Sequence, residues 1–263
     1  GYRNILSALD ITPVALAADV AHGFQPTVEL LSALPRPPDG LIIASPANPT
    51  GSMLAAGDLD TLIDWCAAHG VRIISDEIYH GITYGKPAVT LAGRDPSAIV
   101  INSFSKYFSM TGWRLGWMLV PDDLMRACEC LAQNLFISPP SLSQHAARAA
   151  FACTSELEAN VRRYAENRAV LLEGLPRCGF GPLAPADGAF YIYAGTSAFA
   201  CESTALAREI LEDAGVAVTP GVDFDPARGN DFMRFSYAGP TDEMRDAVRR
   251  LEAWARRRGS IPA

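Results

Sequence analysis

Polar side chains capable of chemistry follow three short apolar runs, at residues 40–45, 71–75 and 98–102 of this 263-residue sequence. In chain order they are Asn48, Asp76, Tyr79, Ser103, Ser105 and Lys106. Runs of this kind predict buried parallel strands, and ligands bind where the carboxyl ends of such strands meet. The sequence therefore predicts one site that carries an amide, a carboxylate, a phenol, two hydroxyls and an amine.

Lys106 is the candidate nucleophile of this site. It stands among Phe104, Tyr107 and Phe108, and an amine in apolar surroundings loses its charge more readily and attacks carbonyl carbons. Arg114 follows within the same stretch, and a guanidinium beside hydroxyls suits a phosphate dianion. A lone lysine is otherwise most often a surface residue of a loop.

Asp76 allows two interpretations. Its carboxylate has the charge that a protonated ring nitrogen of a cofactor requires. Aspartate is also common at a strand–helix junction, where it caps the first backbone N–H groups of the helix.

A rival chemistry uses the same stretch, because residues 103–106 match the S-x-x-K pattern of serine–lysine acylases. That chemistry needs a later K-T-G strand and an S-x-N element, and the sequence contains neither. P-loop and G-x-G-x-x-G patterns are also missing from it. The histidines form no HxxxH or HExxH pattern, so no metal site is predicted.

The alternation of strand and helix patterns in the first half predicts an α/β fold with a mostly parallel sheet. The predicted strands are 13–18, 40–45, 71–75 and 98–102 with a further apolar stretch at 113–120, and the helices are 2–9, 29–34 and 58–69. Trp113, Trp117 and Phe136 are expected in the core.

The second half predicts a smaller α+β unit. Its predicted helices are 142–152, 156–175, 203–214 and 241–257, and its strands are 189–194, 216–219 and 232–236. We place the boundary near Ala152, which divides the chain into residues 1–152 and 153–263 joined by a long helix. Tyr191 and Tyr193 are interpreted as packing residues of a strand, and His80 is not assigned to the site.

Charge and composition exclude several classes of protein. With 22 basic and 29 acidic residues the net charge is −7, which argues against nucleic acid as the main partner. No apolar run approaches the roughly 18 residues of a membrane span, and no secretory leader opens the sequence. The six cysteines are scattered without a CxxC pair, which is typical of a reduced, cytoplasmic protein.

Four motifs resemble those of the class I/II aminotransferases, which are fold-type-I enzymes of the aspartate aminotransferase superfamily that depend on pyridoxal 5'-phosphate (PLP). They are SPANPTG at 45–51, SDEIY at 75–79, SFSKYFSMTGWRLG at 103–116 and RFSYA at 234–238. The resemblance implies transamination between an amino acid and a 2-oxo acid. It also implies a homodimer, a large PLP-binding domain of which residues 1–152 are part, and a small C-terminal domain.

The resemblance also assigns roles around the cofactor ring. Lys106 would form the internal aldimine and then move the proton between substrate and cofactor as base and acid. Asp76 would pair with the pyridinium nitrogen. Tyr79 and Asn48 would donate hydrogen bonds to the phenolate oxygen of the ring.

Phosphate and substrate binding are assigned in the same way. Ser103, Ser105 and Arg114 would hold the phosphate. Arg234 would bind the substrate α-carboxylate with its bidentate fork, with Asn48 beside it. The strand pattern places Arg234 and Phe235 on opposite faces of the strand, so Arg234 could also be a surface arginine.

Members of this family are longer at the N-terminus, so the resemblance implies that a preceding segment with the ring-stacking aromatic is missing. The expected function is PLP-dependent transamination, with the chain as given lacking part of the site. A PLP-dependent carbon–sulfur lyase would use the same cofactor residues. An inactive remnant of an aminotransferase is the third possibility.

Overall fold

A four-stranded sheet forms the centre of the first half in the structure, a computed structural model that describes residues 1–261. Its strands are β1 (Gly40–Ala44), β2 (Arg72–Asp76), β3 (Ile99–Ser103) and β4 (Gly116–Leu119), in the spatial order β1-β2-β3-β4. The first three are parallel and β4 runs antiparallel to β3. The predicted mostly parallel α/β sheet is therefore confirmed.

The helices of this half lie before, between and after the strands. They are α1 (Tyr2–Ala8), α2 (Val28–Ser32), α3 (Ala56–His69) and α4 (Asp122–Leu135). Leu59, Leu62 and Cys66 recur at helical spacing on α3 and pack against the sheet beside Ile73. Gly70 ends α3 in the left-handed conformation, with φ +68.

The second half contains a three-stranded antiparallel sheet with helices packed against it. Its elements are α5 (Ser141–Ala150), α6 (Thr154–Arg177), β5 (Tyr191–Gly195), α7 (Ser203–Ala214), β6 (Thr219–Pro220), β7 (Phe232–Ser236) and α8 (Thr241–Arg258). The strand order is β5-β7-β6. Its core also contains Tyr79 and Ile82 from the first half, which pack with residues such as Ile192. The domain boundary near Ala152 stays a prediction.

Some expectations from the sequence were wrong. Residues 13–18 form no strand, and the predicted strand at 216–219 shrinks to Thr219–Pro220. Trp113, Trp117 and Phe136 are 41%, 37% and 59% exposed rather than in the core. Trp117 lies on the edge strand β4, and no described element covers that strand. Helix α4 was not predicted from the sequence.

Two further observations concern membranes and metals. No helix in residues 1–261 combines the length and the apolar character that a membrane crossing requires. Over the same residues, no cluster of three or more His, Cys, Asp or Glu side chains is arranged to hold a metal ion.

Candidate functional site

Three neighbouring strands of the parallel sheet end at the same edge, and the candidate residues follow directly. Asn48 lies in the loop after β1, Asp76 is the last residue of β2, and Ser103 is the last residue of β3. Because β1, β2 and β3 are adjacent and parallel, their carboxyl ends meet. This edge also faces β5 and β7 of the second half, which place Tyr191 and Arg234 beside Tyr79 and Asn48.

Lys106 projects its amine between two aromatic rings. Its Nζ lies 5.6 Å from the centre of the Tyr79 ring and 5.9 Å from that of Phe190. Among residues 1–261 no side-chain hydrogen bond or ion pair involves Nζ. Burial lowers the pKa of Lys106, and the charges of Arg234 and Arg114 lower it further against the opposing charge of Asp76. The ammonium of Lys106 therefore loses its proton more readily than that of an exposed lysine.

Asp76 is held by hydrogen bonds on both oxygens. Its Oδ1 accepts the backbone N–H of Ile78 at 3.1 Å, which orients the carboxylate without a following helix. Its Oδ2 accepts a hydrogen bond from the hydroxyl of Tyr2 in α1. Burial, followed by the adjacent charge of Asp76, raises the pKa of Tyr2, so this phenol stays protonated and donates.

Tyr79 is 4% exposed, and its hydroxyl oxygen lies 2.9 Å from the hydroxyl oxygen of Tyr191. The rings of Phe190 and Tyr191 meet the Tyr79 ring edge-on, with centres 5.5 and 5.7 Å away. Burial raises the pKa of Tyr79, Tyr191 adds to this, and the charge of Arg234 opposes it. Tyr79 is therefore a protonated hydrogen-bond donor at neutral pH.

The two serines and Arg114 form the candidate anion-binding group. The hydroxyl of Ser103 accepts the backbone N–H of Ser105 at 3.0 Å, and the two hydroxyl oxygens are also 3.0 Å apart. Arg114 has a left-handed backbone, with φ +51, and donates from Nη1 to the Thr111 carbonyl at 3.0 Å. Arg114 is exposed, and the Thr111 carbonyl is the one hydrogen-bond partner that its side chain has among residues 1–261, which leaves further N–H donors for an anion.

Arg234 joins the two halves of the site. Its Nη1 donates to Asn48 Oδ1 at 2.9 Å across 186 residues of sequence, and its Nη2 donates to Thr219 Oγ1 at 3.1 Å. The guanidinium carbon lies 4.4 Å from the Tyr191 ring centre and 4.8 Å from that of Phe224. Its Nε is buried with no hydrogen-bond partner among the described residues. A carboxylate would satisfy this unused part of the fork.

The Asn48 loop is packed tightly against the second half. Gly51 adopts φ +66, and a Cβ there would lie 2.8 Å from both the Ala186 Cα and the Gly188 carbonyl oxygen. Gln25 donates to the carbonyls of Ala44 and Ser52 at 3.1 and 3.0 Å. These contacts fix the loop that presents Asn48.

His80 is held by contacts at the ends of β1 and β2. One ring nitrogen lies 3.0 Å from the Ser45 carbonyl oxygen and the other 3.3 Å from Glu77 Oε2. Glu77 is buried and accepts hydrogen bonds from Thr90 and from the backbone N–H of Leu91. This network joins the ends of β1 and β2.

Three residues of the site were missed from the sequence. Tyr2 bonds to Asp76, Thr219 anchors Arg234, and Tyr191 contacts Tyr79 and Arg234. No local pattern identifies Tyr2 or Thr219. For Tyr191 the alternation of β5 indicated only a packed face.

Comparison with known proteins assigns the family. The profile described as "Aminotransferase class I and II" matches residues 1–251. The valine–pyruvate aminotransferase of Mycobacterium tuberculosis is 49% identical over 257 residues, which cover 96% of this chain and 66% of that protein. The aspartate aminotransferase of Geobacillus stearothermophilus is 37% identical over 227 residues, covering 80% of this chain and 56% of that protein.

A crystal structure of an aminotransferase from Mycobacterium tuberculosis has the same fold. It aligns with a TM-score of 0.94 at 48% identity, covering 97% of this chain and 67% of that chain. This chain thus spans about two thirds of the valine–pyruvate aminotransferase that it matches. The resemblance drawn from the four motifs is confirmed, and the chain belongs to the aminotransferase class I and II family.

Proposed function

We propose that this protein is a PLP-dependent aminotransferase that moves an amino group between an amino acid and a 2-oxo acid. The observation that carries the proposal is the position of Lys106. Its amine, which has no side-chain partner among residues 1–261, lies near the rings of Tyr79 and Phe190, and its pKa is lowered by burial and by the charges of Arg234 and Arg114.

The donor set fits PLP. An amine, a carboxylate, a phenol donor and an exposed guanidinium beside two hydroxyls match its aldehyde, ring nitrogen, phenolate and phosphate. The Nε of Arg234, which has no hydrogen-bond partner among the described residues, is a donor that a substrate carboxylate would satisfy. When bound, PLP supplies an aldehyde that condenses with amines and a ring that accepts the electron pair left at the substrate Cα.

Lys106 is proposed to bind the cofactor through Nζ and to move the Cα proton. Once the amino group of the substrate has displaced Nζ from the cofactor, the freed amine would accept that proton, and the resulting ammonium would return it two atoms away, at the carbon that the cofactor supplies as its aldehyde. The lowered pKa of Lys106 favours the neutral form that starts this transfer.

Asp76, Tyr79 and Asn48 are proposed to orient the cofactor ring. Asp76, fixed by Ile78 and Tyr2, would pair with the ring nitrogen and favour its protonated form. Tyr79 would donate a hydrogen bond to the ring oxygen. Since the Oδ1 of Asn48 accepts from Arg234, its amide nitrogen is free to donate to the same oxygen.

Ser103, Ser105 and Arg114 are proposed to bind the phosphate, and Arg234 with Asn48 to bind the substrate carboxylate. The guanidinium of Arg234 has five N–H donors, of which two are used by Asn48 and Thr219. The remaining donors provide a bidentate contact for any amino acid.

Valine and pyruvate are the first substrates to test, because the 49% identical relative is a valine–pyruvate aminotransferase. The assay pairs L-valine with pyruvate, and L-aspartate with 2-oxoglutarate as a second pair. It is run on this chain and on the extended chain, meaning this chain with an N-terminal segment added to bring it to the length of its relatives.

The decisive experiment locates the cofactor. Borohydride reduction of the PLP-loaded protein followed by peptide mapping is expected to place the pyridoxyl group on Lys106. Finding it on Lys86, the other lysine, would overturn the proposal. Release of thiol from cysteine conjugates without transamination would indicate the carbon–sulfur lyase instead. Absence of any PLP spectrum in the extended chain would indicate an inactive remnant.

We further propose a homodimer that works in the cytoplasm. The family likeness supports the dimer, as do Leu135, Phe136 and Ile137, which are exposed at the end of α4 and directly after it. All six cysteines are free, which suits a reducing compartment. Light scattering of the extended chain should give twice the chain mass, and Phe136→Glu should lower it. Cell fractionation tests the compartment.

A further inference from the structure

Tyr191 contacts two residues of the proposed site at once. Its hydroxyl lies 2.9 Å from that of Tyr79, and its ring centre lies 4.4 Å from the guanidinium carbon of Arg234. Tyr191 is 6% exposed. Among residues 1–261 each of the two hydroxyls has the other as its only side-chain hydrogen-bond partner. The roles proposed above use neither contact.

The register of the second sheet explains this position. Tyr193 pairs with Arg234 and Tyr191 with Ser236 in the antiparallel β5–β7 ladder. Residues directly opposite share a face, so Arg234 lies diagonal to Tyr191 on that face. Tyr193 instead stacks on Phe232, with ring centres 4.7 Å apart, and does not reach Tyr79.

Either hydroxyl of the Tyr79–Tyr191 pair can donate the hydrogen bond between them. Only one of the two hydroxyl protons can lie between the oxygens of Tyr79 and Tyr191. With Tyr191 as the donor, the proton of Tyr79 is left free to point toward the cofactor.

We propose that Tyr191 is a positioning residue that holds the donor Tyr79 and the carboxylate-binding Arg234 in a fixed relation. Its hydroxyl orients the Tyr79 proton, and its ring supports the guanidinium through a cation–π contact. The proposal rests on the proposed function, because it assumes PLP on Lys106 and a carboxylate at Arg234.

Three variants of the extended chain separate the two parts of this proposal. Tyr191→Phe removes the hydroxyl and keeps the ring under Arg234. Tyr191→Leu removes both the hydroxyl and the ring. If the leucine variant does not fold, Tyr191→Met is used in its place, since methionine adapts to irregular spaces. Tyr193→Phe is the matched control, a buried tyrosine of the same strand that loses a hydroxyl without contact to Tyr79.

Three readouts are measured on each variant. The first is the pH midpoint of the absorption change of the bound cofactor. The second is the dissociation constant of pyruvate for the protein without PLP, measured by calorimetry. The third is the division of any kinetic loss between kcat and KM.

For Tyr191→Phe we expect a higher pH midpoint and a several-fold lower kcat, with pyruvate binding unchanged. A well-aligned donor on the ring oxygen stabilises the less protonated chromophore, so weakening Tyr79 shifts the midpoint upward. For Tyr191→Leu the pyruvate dissociation constant and the KM for valine should also rise, about threefold to thirtyfold for a desolvated cation–π contact.

The outcomes keep the two proposals apart. If the parent binds PLP on Lys106 but Tyr191→Phe leaves the pH midpoint unchanged, or Tyr193→Phe shifts it equally, the positioning role of the hydroxyl is wrong. If Tyr191→Leu, or Tyr191→Met in its place, leaves pyruvate binding unchanged, the support of Arg234 is wrong. A parent that binds no PLP overturns the proposed function and this inference together.

Discussion

The charge on Lys106 is unfavourable in the folded protein without cofactor. Burial and the charges of Arg234 and Arg114 lower its pKa from the usual 10.5. The unfolded chain therefore binds more protons than the folded chain between the lowered pKa and pH 10.5, and stability rises with pH across that window. Below it the full cost of the buried charge remains.

Lys106→Met should consequently raise the free energy of unfolding of the PLP-free protein at neutral pH, and the gain should shrink as pH approaches 10.5. Urea unfolding at several pH values measures this. Lys86→Met is the control, because Lys86 is exposed and pairs with Asp187 at 3.1 Å. A loss of stability from Lys106→Met that is equal at all pH values would contradict the expectation.

Arg234 is expected to bind the α-carboxylate, the group that all amino acid substrates share. Arg234→Lys keeps the charge but loses the fork that contacts Asn48 and Thr219. In the extended chain kcat/KM should fall about 10- to 100-fold, as for one lost charge-assisted hydrogen bond. The fall should be similar for valine and aspartate. A loss confined to aspartate would show that Arg234 binds the side chain instead.

At the scale of elements, the loop after β1 depends on the close approach of Gly51. Gly51→Ala would place a Cβ 2.8 Å from the backbone of Ala186 at a φ of +66. We expect a loss of more than about 1 kcal/mol, since an alanine at positive φ is strained and the facing backbone must move. Denaturant unfolding measures the change.

Gly57→Ala is the matched control for this substitution. Gly57 lies in α3, and a Cβ there meets nothing within 4 Å. Alanine at that position should be neutral or stabilise the protein by up to about 1 kcal/mol. Equal losses at both positions would show that the packing of the loop is not the cause.

Elements with a clear pattern could be predicted from the sequence. The helix Ser203–Ala214 and the strand Phe232–Ser236 have the predicted bounds, and β1 to β3 lie within one residue of theirs. Their apolar positions are set by local spacing, which the sequence shows directly. The residues that follow the strands are positioned by sheet order, so their convergence could be predicted as well.

Contacts between distant segments could not be predicted. The Tyr79–Tyr191 contact spans 112 residues, and it depends on how the second half packs against the first. The apolar run at 13–18 resembles a strand but finds no pairing partner in the described chain. The residues next to Trp117 in the sequence are apolar, which suggests a core position. Its exposure in the structure nevertheless depends on what covers β4.

At the scale of the whole molecule, the first sheet ends in an edge strand, β4, that no described element covers. All four residues of β4 are exposed, and Trp117, Met118 and Leu119 are large apolar side chains. Ile101 of β3 is exposed as well. A mostly parallel sheet normally has both faces covered, and an open edge strand of this kind promotes aggregation. This chain also spans 66% of the valine–pyruvate aminotransferase that it matches.

The extended chain should therefore differ from this chain in both solubility and turnover. Lys106 is present in both, so PLP attachment is expected in each, and it should be weak in this chain. Catalysis needs the Cα–H bond held perpendicular to a fixed ring, and a displacement of about 1 Å can cost about 100-fold in rate. We expect this chain alone to transaminate at least about 100-fold more slowly and to aggregate. The measurement is valine–pyruvate turnover at saturating PLP, with light scattering on both proteins. Comparable turnover by a monodisperse sample of residues 1–263 would show that the exposed face of β4 needs no cover and that this chain forms a working site.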